Sequence, residues 1–258
     1  MSLTTSRRLL VINPNTNEAT THRLQGVLQP LLPVGTTLDM RTARFGARYI
    51  ACEASHAVAS HASLDTWTGY LAEGHAPADG VLIGCFGDPG LFALREASAC
   101  PVTGLAEASF IQAAQQGPFA IVTGGQRWKP MLTRLAQSLG FEHLLCRIET
   151  VAPSGSALQA DPEMALRCLS EACALAAQSD AKSIILGGAG LAGYAQTLQS
   201  HCPLPLIDSA RAGLEVLLQN QAPAATRSVN GFHAEWSNLP AAFGRGGEQT
   251  LGLCGPLQ

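Results

Sequence analysis

Ten residues decide how this chain is read: Val81-Leu82-Ile83-Gly84-Cys85-Phe86-Gly87-Asp88-Pro89-Gly90. Val81-Leu82-Ile83 is an unbroken apolar run between glycines, the pattern of a strand buried on both faces. The glycines at 84, 87 and 90 make a tight turn, and Asp88 with Pro89 predicts a helix start over 90–98. A second stretch echoes the first: Ile184-Ile185-Leu186-Gly187-Gly188-Ala189-Gly190-Leu191-Ala192-Gly193. Cys85 and Gly188 hold matching places in the two. This echo implies two similar lobes, each offering a strand–helix turn to a shared cleft. Ligands in open α/β sheets bind at the carboxyl ends of strands.

Outward from these turns, apolar runs alternate with helical periodicity. Strands are predicted at 9–13, 37–41, 80–84, 102–105, 119–123, 144–151, 183–186 and 204–207. Helices are predicted near 17–30, 52–73, 90–98, 107–116, 127–139, 161–178, 191–200 and 208–219. Such alternation predicts an α/β fold of two pseudo-symmetric lobes, each a mainly parallel sheet flanked by helices, with the active site between them. Residues 1–103 with 208–258 are assigned to the first lobe and 104–207 to the second. Asp161-Pro162 reads as a capped helix start. Ala165, Cys168, Leu169, Ala172, Leu175 and Ala176 form one apolar stripe there.

Composition narrows the function. Charged residues are 14% of the 258, against about a quarter in a typical domain. The 16 basic and 19 acidic residues leave a net charge of −3, with no excess to neutralise a nucleic-acid backbone. No apolar run reaches membrane-span length. Arg7-Arg8 before Leu9-Leu10-Val11-Ile12 is too short a run for a signal peptide, so a cytoplasmic location is expected. The few surface charges leave room for an apolar interface, and a homo-oligomer is expected. The eight cysteines show no CxxC pair and no His/Cys cluster of zinc spacing, so neither a metal site nor a disulfide framework is expected. Most read as small buried hydrophobes.

Cys85 is the exception. A thiol at a helix N-terminus gains from the dipole and free N–H groups, with Asp88 opposing. A modest downward shift from ~8.5 would make it a usable base near neutrality. Backbone N–H groups of the glycine turn suit a carboxylate, an amide oxygen or an enolate. Strand 9–13 ends in Asn13-Pro14-Asn15-Thr16-Asn17, where Asn13 or Asn15 is expected to present an amide to the ligand, alongside capping roles. Phe119-Ala120-Ile121-Val122-Thr123-Gly124-Gly125 ends in a third small polar turn. This third turn lacks the GxGxxG pattern and a following acidic residue at ribose distance, no P-loop is present, and Gly244-Arg245-Gly246-Gly247 reads as a surface loop.

Asn13-Pro14-Asn15-Thr16, Gly84-Cys85-Phe86-Gly87-Asp88-Pro89-Gly90-Leu91 and Leu186-Gly187-Gly188-Ala189-Gly190 together resemble the Asp/Glu/hydantoin racemase family, closest to its hydantoin and allantoin racemase branch. The resemblance spans about the first 220 residues. It implies a cofactor-free, metal-free site in which two cysteines face the substrate carbon from opposite sides. One removes the α-proton and the other returns one, while backbone amides hold the substrate oxygens. It assigns Cys85 as the acid/base. It also assigns Asn13, Asn15, Thr16, Phe86, Gly87, Thr123, Gly124, Gly188, Ala189 and Gly190 to substrate binding.

One departure is central. The second cysteine of that pattern falls on Gly188, which has no side chain to relay a proton. Thr123-Gly124-Gly125 is also less bulky than the pattern, so a substrate larger than allantoin or hydantoin is expected. Three readings follow. The first is a racemase or epimerase acting on a small amino-acid-derived or hydantoin-like substrate, with Glu107, Tyr194, His201 or Asp208 as replacement acid. The second is a single-cysteine decarboxylase, lyase or one-face isomerase. The third is a non-catalytic small-molecule-binding relative. The first ranks highest. Trp67, Trp128 and Trp236 read as packing anchors, His56 and His61 as non-ligands, and Arg41 and Arg44 as exposed charges.

Overall fold

A computed structural model describes residues 7–74, 78–152, 158, 160–219, 222, 236–239 and 243. Two four-stranded parallel sheets form its framework. The first has the order β2-β1-β3-β4, built from β1 (Arg7–Asn13), β2 (Thr36–Thr42), β3 (Gly80–Ile83) and β4 (Val102–Gly104). The second has the order β6-β5-β7-β8, built from β5 (Phe119–Gly124), β6 (Leu145–Val151), β7 (Ser183–Gly187) and β8 (Leu206–Asp208). The two orders are the same once renumbered, so the echo between the 81–90 and 184–193 stretches is a repeat of topology.

Every residue of β3, β5 and β7 is buried, as apolar runs covered on both faces must be. Helices supply the cover: α1 (Glu18–Leu28), α2 (Glu53–Ala72), α3 (Leu91–Ala97), α4 (Leu105–Ala114), α5 (Trp128–Ser138), α6 (Pro162–Ala176), α7 (Tyr194–Leu198) and α8 (Ser209–Leu218). Two of them tie the sheets together. Helix α4 leaves the first sheet, yet its Phe110 stacks on Phe119 of β5 at 5.4 Å between ring centroids. Helix α8 leaves the second sheet and returns to the first, where Leu217 and Gly213 lie against β3.

Caps follow the sequence at several helices. Asn17 accepts from the Ala19 N–H at α1, Asp161 from Met164 at α6, and Asp208 from Ala210 and Arg211 at α8. The α6 stripe is corrected in detail. Ala165, Leu169, Ala172, Cys173 and Ala176 are buried, whereas Leu175 is exposed and Cys168 half-buried. Cys146 is exposed on the edge strand β6. The other notable exceptions among the cysteines are Cys52, Cys100 and Cys202, all half-buried; none of the seven described forms a disulfide. Arg41 pairs with Asp39 and Glu73, and Arg44 with Asp65. His61 packs edge-on against Phe45 and Phe243. Among the described residues no helix is long and apolar enough to cross a membrane, and no His/Cys/Asp/Glu group could hold a metal ion. The 244–247 loop and Cys254 lie outside the described residues.

Candidate active site

The carboxyl ends of β1, β3, β5 and β7 open onto one cleft. Its lining includes Asn15, Cys85 and Phe86 from the first sheet's strand ends, and Thr123, Gly124, Gly188, Ala189 and Gly190 from the second's. Parallel strands place all their carboxyl ends on one side, so segments far apart in sequence converge here.

Cys85 is buried, 7% exposed, in the turn after β3. Burial pushes its thiol well above the ordinary range, and the Asp88 carboxylate adds to the rise. This reverses the downward shift expected from a helix N-terminus. The main reason is burial, with Asp88 second. Asp88 does not cap α3, whose N-cap is Gly90 and has no side-chain cap. Instead its Oδ1 accepts from Ala106 N–H at 2.9 Å and its Oδ2 from Glu107 N–H at 2.7 Å, capping α4. Asp88 is itself buried, which drives its carboxyl up to about 7 against those two donors. Gly104 makes this possible: a Cβ there would lie 2.1 Å from Asp88 Cγ.

The consequence for the thiol is directional. With its pKa raised, Cys85 is largely protonated at neutrality, and the thiolate fraction grows as pH rises. Any proton abstraction by Cys85 is therefore expected to accelerate about tenfold per pH unit through the neutral range into the alkaline. An α-proton exchange rate that is flat or falls over that range would contradict the shift.

Donors flank the thiol on both walls. Among the described residues, the N–H groups of Cys85 and Phe86 have no acceptor, and neither do those of Ala189 and Gly190. Gly188 differs from the expectation that its amide helps hold an oxyanion. Its N–H is taken by Ser209 Oγ at 3.2 Å. Gly188 also adopts φ 144°, a conformation L side chains rarely take, although a Cβ would meet nothing nearer than Leu191 Cγ at 3.5 Å. Backbone geometry, not lack of room, excludes a side chain there.

The other predicted residues divide. Asn15, Phe86, Thr123, Gly124, Ala189 and Gly190 line the cleft. Thr123 Oγ1 donates to Gly187 O at 2.7 Å and so braces β5 against β7. Asn13 does not line it: its side chain is fully buried, with Nδ2 shared among Asn15 Oδ1, Asn17 O and Thr21 Oγ1. Asn13 therefore holds the loop that presents Asn15. Thr16 is also outside the lining, its N–H bound to Ala47 O. Gly87 sits behind it, covered by the Trp128 indole and bonded through its carbonyl to His56 Nε2 at 2.8 Å.

None of the four predicted replacement acids lines the cleft. Glu107 is buried against Arg95 and Thr103. Tyr194 lies under the Arg23 guanidinium, His201 is exposed on another edge, and Asp208 caps α8. The lining residues missed from sequence are Tyr49, Ile50, Trp128 and Leu191, together with Asn17, Thr20, Gly84 and Gly187. Trp128 packs and lines the cleft at once. Gly125 does not enlarge the cleft as expected: Trp128 Cδ1 and Tyr49 Oη occupy that side, at 3.4 and 3.6 Å from where its Cβ would be.

Comparison with known proteins bears on this arrangement. The family model described as Asp/Glu/Hydantoin racemase matches residues 9–217. The chain belongs to this family. It is 34% identical over 215 residues to the hydantoin racemase of Paenarthrobacter aurescens, covering 81% of this chain and 89% of that one. It is 30% identical over 210 residues to the hydantoin racemase of Pseudomonas sp. (strain NS671), covering 81% and 83%. The solved allantoin racemase from Klebsiella pneumoniae superposes with a TM-score of 0.82 at 29% identity, covering 91% of this chain and 96% of that one. The α/β fold and the racemase family are thus shown, and with them an enzyme of the isomerase class.

Proposed function

We propose that the protein racemises or epimerises a small neutral ring compound of the hydantoin type, with Cys85 moving the proton at the α-carbon. The observation that carries this reading is the character of the cleft wall. Its described lining holds a buried thiol and unengaged backbone N–H groups on both sides, with no charged side chain. A free amino acid would bring a carboxylate and an ammonium into a lining without counter-ions, at a heavy desolvation cost. A hydantoin brings instead neutral carbonyl oxygens, and these gain negative charge only as the α-proton leaves. Fixed N–H donors aimed at that developing charge stabilise the enolate more than the substrate. The relatives named hydantoin racemase and allantoin racemase support the same substrate class.

The test is incubation of the protein with one enantiomer of a 5-substituted hydantoin, or of allantoin, in D₂O. Loss of optical rotation in step with deuterium uptake at the α-carbon is expected. Deuterium uptake with retained rotation would show one-face chemistry instead. CO₂ release from a malonate-type diacid, without racemisation, would show a one-thiol decarboxylase. Saturable binding with neither would leave a non-catalytic relative.

A further inference from the structure

Racemisation needs proton delivery on the face opposite the one from which the proton was taken. Cys85 follows β3 and so enters the cleft from the first sheet's side. The described lining offers few other groups that bear an exchangeable O–H or S–H: Thr20, Thr123 and Tyr49. Threonine hydroxyls are too weakly acidic for this work. Tyr49 is different in both acidity and place.

Tyr49 lies in the connection between β2 and α2, so its backbone belongs with the first sheet. Its ring crosses the cleft, and Oη donates to Gly124 O at 3.1 Å, at the end of β5. Thr123 pairs with Gly187 in register; Gly124 ends β5, and Gly188 is the first residue beyond the end of β7. Neighbouring strands run about 4.8 Å apart. The phenol oxygen therefore sits on the second sheet's wall, beside the glycine that matches Cys85 in the repeat. We propose that Tyr49 is the second catalytic acid/base, delivering a proton to the substrate face opposite Cys85.

This inference rests on the racemase reading above, and the proton balance is simple. The Cys85 thiolate takes the α-proton and becomes a thiol. The C–H electron pair passes into the enolate, held by the backbone N–H groups. The carbon then takes the Tyr49 hydroxyl proton from the other side, and Tyr49 becomes a phenolate. The net charge is unchanged. In the reverse direction the phenolate is the base and the thiol the acid. Burial and Asp88 raise the Cys85 thiol, so it holds the negative charge less readily than an ordinary cysteine and returns the proton more slowly once it has taken one. The hydroxyl hydrogen turns from Gly124 O to the carbon by rotation about the C–O bond.

The experiment separates exchange from inversion. Each enantiomer of the racemised hydantoin is incubated in D₂O with wild type, Tyr49→Phe and Cys85→Ser. With Tyr49→Phe, racemisation is expected to fall at least about a hundredfold. The enantiomer whose α-hydrogen faces Cys85 is expected to keep exchanging, now with retained configuration, because the thiol returns a solvent-derived proton to the same face. The other enantiomer is expected to stop exchanging. Unchanged racemisation, or equal loss of exchange from both enantiomers in a variant that melts like wild type, overturns the assignment. A fluorinated tyrosine at 49, with a more acidic phenol, is expected to move the pH dependence of racemisation to lower pH; an unmoved profile also overturns it. Cys85→Ser tests the parent reading separately. If that variant still exchanges the first enantiomer, the thiol mechanism fails whatever Tyr49→Phe does.

Discussion

Cys85→Ser is expected to slow α-proton exchange by about a thousandfold or more, with the fold unchanged. A positioned acid/base contributes on the order of 10²–10⁴ in rate. A hydroxyl is so much weaker an acid than a thiol that essentially no alkoxide forms to act as base, which places serine toward the upper part of that range. A thousandfold loss corresponds to about 4 kcal/mol of barrier. The substitution changes one atom in a turn whose backbone is held elsewhere. Gly84 N–H bonds Ile12 O at 2.7 Å, and the Gly87 and Asp88 N–H groups close on Cys85 O at 3.1 and 3.2 Å. None of these bonds involves the sulfur, so the melting temperature is expected to stay close to wild type. Exchange followed by proton NMR in D₂O, with a melt on the same sample, checks both halves. A variant retaining a tenth of the rate would remove Cys85 from the chemistry.

The second large effect is on stability. Gly104→Ala is expected to cost about 3–5 kcal/mol. Gly104 has φ −120° and ψ 177°, which alanine adopts freely, so no backbone strain confuses the result. The cost is steric and electrostatic. The new methyl would stand 2.1 Å from Asp88 Cγ and 2.2 Å from Oδ1. Asp88 has nowhere to move: it is 3% exposed, already at φ 48°, and both its oxygens are engaged by the α4 N-terminus. Overpacking alone costs about 1–3 kcal/mol. Displacing the carboxyl group, only partly ionised at neutrality, forfeits hydrogen bonds worth about 0.5–3 kcal/mol each, though a water entering the gap would recover part. For a chain of this length about 2–4 °C is lost per kcal/mol, so a fall of roughly 10 °C is expected. Urea denaturation and a thermal melt measure it. A change below about 1 kcal/mol would mean that Asp88 does not hold α4. The variant also displaces the turn that carries Cys85, so activity is expected to fall with stability.

These cases show where the sequence was readable. Val81-Leu82-Ile83 and Ile184-Ile185-Leu186 predict strands buried on both faces because their apolar runs leave no side for water. Their glycine-rich sequels predict turns because little else bends so sharply. Local chemistry also identifies Asp161 and Asn17 as caps, since their acceptors serve N–H groups two or three residues ahead. Asp88 misleads for the same reason. Proximity suggests that it serves α3, but the donors that it reaches belong to Ala106 and Glu107, and nothing local marks a position that distant.

The amino-acid sequence by itself determined the α/β architecture, the thiol at 85 and the glycine at 188, and its motifs carried the resemblance to the family. Each rests on periodicity or on a residue's own chemistry, which are local properties. Only the tertiary structure decided which groups face one another. It turned Asn13 from ligand contact to scaffold, removed Glu107, Tyr194, His201 and Asp208 from the cleft, and raised the Cys85 thiol where its helix alone predicted a fall. It also carried Tyr49 across to the carbonyl of Gly124. The physical reason is that burial and cross-cleft distance depend on how the two sheets pack, and no local pattern encodes that packing.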